Sequence, residues 1–176
     1  MIPGIRGGLI SGAFARDVLP SMPESIQLPP AAAAALTAWS LRLENVLGIT
    51  SSVRAITDVA VLPLLDLLGI SVHRRGDATD TCLLHAAAGS ERLVVLVSGW
   101  GEPLDRVWRS SVVHAIADDA RWCLCCNGRA ARLVDAQRTW SREYLEFDCL
   151  VLGSEPTVQQ LLWTLLRAES MRGWVT

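Results

Sequence analysis

The chain has 176 residues and is 51% hydrophobic, which suits one domain with a substantial core and excludes disorder over most of its length. A formal net charge of −2 excludes a strongly basic nucleic-acid protein, although a local basic patch remains open. All 16 basic residues are arginine, so chemistry that needs a lysine ammonium lies outside this chain. Residues 1–30 form a Gly- and Pro-rich arm, expected to be extended or short-helical and to dock on the body or on a partner. From Pro30, AAAAALTAWSLRLENVLG predicts a helix that Gly48 stops. Thr50, Ser51 and Ser52 can cap a second helix running to Leu68, with Pro63 set to kink it.

Three strands follow by expectation: Ile70–Arg74, Thr81–Ala87 and Arg92–Val97. The last is continuously apolar from Leu93, as a central strand buried on both faces would be. Pro103 opens a helix through about Asp119, with Val107, Trp108, Val112 and Ile116 as its apolar stripe. Strands Arg121–Cys126, Arg129–Asp135 and Tyr144–Leu152 come next, and Ser154 caps a final helix, Glu155 to about Ala168. The expected class is α/β, a mixed central sheet flanked by helices in the order αα-βββ-α-ββ-β-α. It forms a single domain over 31–170. The tail 171–176 reads as cut from a longer chain.

Five cysteines without a signal-like start point to reduced thiols in a bacterial cytoplasm. No run of eighteen apolar residues suggests a membrane partner. Cys123, Cys125 and Cys126 cluster, but a strand sends the first two to one face and the third to the other. That arrangement argues against one zinc site, which would also want a second pair of ligands. Asn127-Gly128 between two strand-like runs is a hairpin signal, expected as a type I′ turn.

The hairpin stretch WCLCCNGRAARLVDA resembles the hairpin of the nuclease-like domain that begins many bacterial restriction-modification enzymes. These are the type I restriction subunits and the fused type II restriction-methylases. VRAITDVAVLPLLDLLGISV resembles that family's opening helix, GEPLD its entry to the helix after the catalytic strand, and REYLEFDCLVL its closing strand. The resemblance covers roughly residues 50–168 and implies a restriction-endonuclease-like, PD-(D/E)XK-type fold.

Active members of that fold hold a divalent metal with acids from the second and third strands, and a lysine assists the attacking water. Hard Mg²⁺ wants such oxygen ligands. By position, the first acid falls at Asp80. The third strand ends Ser98-Gly99-Trp100, with neither acid nor lysine, and Glu102 and Asp105 lie beyond it. The resemblance therefore implies a degenerate site without nuclease activity. No cofactor is expected, save Mg²⁺ if Asp80 with Glu102 or Asp105 forms a migrated site. A domain emptied in this way can still contact DNA or act as a scaffold for other subunits of a restriction-modification or phage-defence complex. A pure protein-interaction role is the remaining alternative. Candidate phosphate contacts are Arg74, Arg75, Arg106, Arg109, Arg129, Arg132, Arg138 and Arg142, with Trp140 beside the last. Trp100 is the other candidate surface aromatic.

Overall fold

The computed structural model describes residues 2–18, 21, 23, 26–138 and 143–172. The chain is a mixed α/β protein built on one seven-stranded sheet. Its strands are β1 (Ile5–Arg6), β2 (Ser71–Asp77), β3 (Cys82–Ala88), β4 (Glu91–Val97), β5 (Trp122–Cys126), β6 (Ala130–Asp135) and β7 (Tyr144–Asp148). Their spatial order is β1-β7-β6-β5-β4-β3-β2. The β4–β5 pair is parallel and the other five pairs are antiparallel. That parallel step requires a crossover, which helix α4 (Trp108–Ala117) supplies.

The sheet is covered unequally. One face carries α1 (Pro30–Val46), α2 (Val53–Ile56), α3 (Leu62–Leu67), α5 (Pro156–Leu166) and α6 (Ala168–Arg172), and the main core lies beneath them. The other face carries α4 alone, which packs on β4 and β5. Polar side chains of β6 and β7 are therefore left facing open clefts beside it.

Several elements differ from expectation. Within the arm, expected as an extended or short-helical docking segment, Ile5 and Arg6 form an edge strand that was not foreseen and pair with Phe147 and Glu146. The second helix is broken into α2 and α3 by a π-helical stretch, Thr57–Val61. Pro63 has no N–H to give the carbonyl four residues back, and the helix widens just before it. The cap of α2 is Ser52, whose hydroxyl accepts from the Ala55 amide at 3.1 Å. The last long helix has Glu155 rather than Ser154 at its cap. β7 stops at Asp148 and a one-turn helix, Val151–Gly153, follows.

The buried face of α4 is Ser111, Val112 and Ala115, while Ile116 is 64% exposed. Ser111 is tolerated inside because its hydroxyl lies 3.1 Å from Cys125 Sγ and 3.4 Å from Cys123 Sγ. The cysteines divide between faces as the strand period requires. Cys123 and Cys125 lie under α4, Cys126 lies in the main core, and all five are reduced and buried.

Candidate functional site beside the Asn-Gly hairpin

The hairpin between β5 and β6 is more than a turn. Gly128, at φ +80°, and Arg129 are its central residues, since the Asn127 amide donates to the Ala130 carbonyl at 3.2 Å. Only the first central residue takes a positive φ, which suits a II′-like turn and not the expected type I′. Asn127 itself is 5% exposed and serves as a hub. Its Oδ1 accepts from the Arg129 and Ala130 amides at 3.0 and 2.7 Å. Its Nδ2 donates to the Glu102 carbonyl at 2.7 Å, and its own carbonyl accepts from the Gly101 amide at 3.0 Å. The hairpin thus fixes the loop that follows β4. Gly128 lies against the Trp100 ring, where an added Cβ would come within 2.5 Å.

Three clefts lie near this loop: residues 99–102 line the first, 101–105 the second, and Asp105 joins the second to the third. The first, of about 490 Å³, is lined by Asp80, Trp100 and Glu102, with Ile49 at its edge. It lies where β3 begins and β4 ends, because Cys82 pairs with Val97. The two acids are therefore brought to one place, while Asp105 is turned elsewhere. Among the described residues, no three His, Cys, Asp or Glu side chains converge in a metal-holding arrangement.

The second cleft, of about 600 Å³, runs between β1 and residues 101–105. Its floor is Arg132 on β6 with Glu146 and Asp148 on β7, and Arg6 and Arg129 also line it. Arg132 is 8% exposed. Its Nε donates to Glu146 Oε2 at 2.8 Å and its Nη1 to Asp105 Oδ1 at 2.7 Å. Its guanidinium lies 4.1 Å from the centre of the Tyr144 ring. Burial works against the charge, but the bonds to Asp105 and Glu146 outweigh it and hold the guanidinium more firmly protonated than usual.

The third cleft, of about 330 Å³, continues past Asp105 and Arg132 to Arg109, Arg138, Trp108 and Tyr144. Trp108, expected in the apolar stripe of the helix, packs against the buried residues under α4 and also forms part of this wall.

The candidate arginines separate into groups. Arg109, Arg129 and Arg138 are exposed and border the adjoining second and third clefts. Arg106 is exposed on the one-turn helix Leu104–Arg106 and lines none of the three. Arg74 is exposed on edge strand β2, far across the sheet. Arg75 beside it is held by Asp58 at 2.6 Å and Asp77 at 3.0 Å. Arg132 is spent on its acids and does not reach the surface. Trp140 and Arg142 lie outside the described residues. Trp100, expected as a surface aromatic, is partly buried and packs on the core.

Sequence reasoning missed Arg6, Tyr144, Glu146 and Asp148. The last three fall at alternate positions of one strand, a readable signal that they share a face. It also passed over His85, whose Nδ1 lies 3.1 Å from Asp118 Oδ2, 33 residues away.

The chain matches no family model, no characterised protein and no solved structure in comparisons with known proteins. No helix among the described residues is long and apolar enough to cross a membrane.

Proposed function

We propose that this chain is a catalytically silent, restriction-endonuclease-like domain that contacts duplex DNA within a bacterial restriction-modification or phage-defence assembly. A cytoplasmic location and companion subunits go with that reading. The observation that carries it is the cleft at the junction of β3 and β4. Asp80 and Glu102 line it, but the strand end that would supply acid and lysine reads Ser98-Gly99-Trp100. The antiparallel meander β2-β3-β4, the α4 crossover to parallel β5 and the Asn-Gly hairpin support the fold side of the reading. Arg109, Arg129 and Arg138 along the adjoining clefts support the DNA side, as exposed guanidiniums suited to phosphate.

Two carboxylates with water can complete the oxygen ligation that Mg²⁺ wants, so Asp80 and Glu102 would hold the ion if it bound. What this cleft lacks is an acid and a lysine at the end of β4 to activate water. A metal-dependent nuclease using Asp80 and Glu102 is still the competing reading, because the fold brings both acids to one cleft.

One assay separates these readings: duplex binding and cleavage, titrated with salt, with and without Mg²⁺ or Mn²⁺. Salt-sensitive binding without metal-dependent cuts is the expected result. Cleavage lost in Asp80→Ala would establish the nuclease instead. Neither binding nor cleavage would shift the reading to a protein-interaction domain.

A further inference from the structure

We propose that the outward face of α4 joins two copies of this chain as an antiparallel, two-fold symmetric helix pair. The inference goes beyond DNA contact, because Arg106, on which it turns, lines none of the three clefts. α4 is the one helix described on its side of the sheet, and its inner face is already spent on β4 and β5. On its outer face Val113 and Ile116 are each 64% exposed. A single exposed apolar residue needs no explanation. These two belong to a stripe. The one-turn helix Leu104–Arg106 leads into α4 through Val107, itself in helical conformation. Arg106, Arg109, Val113 and Ile116 are all exposed and follow the alternating three- and four-residue steps of a helix–helix seam.

Charge selects the occupant. Arg106 stands before the first turn of α4 and Asp119 just past the last, both exposed. Their acidic neighbours are committed elsewhere, Asp105 to Arg132 and Asp118 to His85. Neither Arg106 nor Asp119 has a side-chain partner among the described residues. The free charge is thus positive at one end of the stripe and negative at the other. A second α4 laid antiparallel joins opposite signs at both ends, and a parallel one sets like against like. The midpoint between Arg106 and Asp119 falls beside Val113. The same register therefore packs Val113 against its own copy and sets Ile116 on the aliphatic stem of the partner's Arg109. A two-fold pair of this kind is self-complementary and closes at two copies. α4 has 10 residues, about 15 Å of helix, so the contact falls short of the roughly 1,200 Å² of stable complexes and the dimer is transient.

Sedimentation velocity of the full chain from about 1 to 300 μM tests this. A reversible monomer–dimer equilibrium is expected, with Kd on the order of 10–100 μM. Ile116→Glu, at an exposed position, should weaken it about tenfold or more with unchanged circular dichroism. Arg106→Glu sets two like-charge contacts and should weaken it by about the same factor. Asp119→Asn should weaken the native dimer, yet recover most of the loss when added to Arg106→Glu. Asn also tolerates the positive φ, 52°, at this position. A monomer throughout the range overturns the proposal and leaves the face to a different protein or to solvent. So does a dimer that folded Ile116→Glu leaves unchanged. Loss in Ile49→Glu instead would move the contact to the end of α1, where Ile49 is 89% exposed. Asp119→Asn weakening both backgrounds alike would overturn the antiparallel register.

Discussion

At the scale of single residues, the buried pair of Arg132 and Glu146 is the sharpest test of the structure. Arg132→Ala leaves the Glu146 carboxylate buried without its partner, and the expected cost is about 3–5 kcal/mol in urea unfolding. The double change Arg132→Met/Glu146→Leu removes both charges, and stability should return to about the native value or above it. Asp105→Asn touches the same guanidinium, but that side chain is 78% exposed, so it should cost less than about 1 kcal/mol. The thiols give a second residue-scale prediction. Burial pushes Cys123 up to about 12 and Cys125 up to about 11, from an ordinary 9.0. Both stay protonated in the fold while the unfolded chain ionises. Their contribution is whole below pH 9 and is lost as pH rises towards the folded values, by about 1.4 kcal/mol per pH unit for each thiol. Cys126 and Cys149 are pushed up by burial in the same direction. Melts between pH 8 and 11 should show this loss, and Cys123→Ala/Cys125→Ala should flatten it, at a cavity cost that is the same at every pH.

At the scale of elements, local signals were legible and distant partners were not. Asn127-Gly128 announced its hairpin because turn chemistry is a property of adjacent residues. The continuous apolar run of β4 announced a central strand for the same reason, since both its faces are covered. Strand β1 is two residues long, and nothing in Ile5-Arg6 says that its partner lies some 140 positions away. The second cleft was hidden with it, because β1 is one wall. Gly7 is what lets the arm lie down. It sits at φ +105°, and an added Cβ would stand 1.9 Å from the Tyr144 carbonyl oxygen, which backbone cannot yield cheaply. Gly7→Ala should therefore lift the arm from β7 and break the bond from the Asp148 amide to the Gly4 carbonyl, now 2.8 Å. Hydrogen exchange should read this directly. The Asp148 amide should lose protection in the variant, while amides in β4 and β5, buried in the sheet centre, keep theirs.

At the scale of the whole molecule, the proposed DNA contact asks a chain of net charge −2 to hold a polyanion. Only the arrangement of charges can answer it. The sequence named the arginines but not their company, because ion pairing joins residues far apart in the chain. Arg75 finds Asp58, 17 positions back, and Arg132 finds Asp105, 27 positions back. Of the candidate arginines, Arg109, Arg129 and Arg138 are exposed along the adjoining clefts, with Glu102, Asp105 and Glu143 among them, and Arg6 is exposed there too. Three phosphate contacts predict weak binding that is steeply sensitive to salt. For duplex DNA each neutralised phosphate contributes about −0.9 to the slope of log K against log salt, so about −2.7 is the ceiling for these three. Arg109→Gln/Arg129→Gln/Arg138→Gln should abolish the slope along with the binding. Arg74→Gln, on the far edge strand, should leave both intact if contact is confined to the α4 side. A slope much steeper than −2.7 would mean that further cations take part. An equal loss in Arg74→Gln would place the DNA along the β2 edge and away from the clefts.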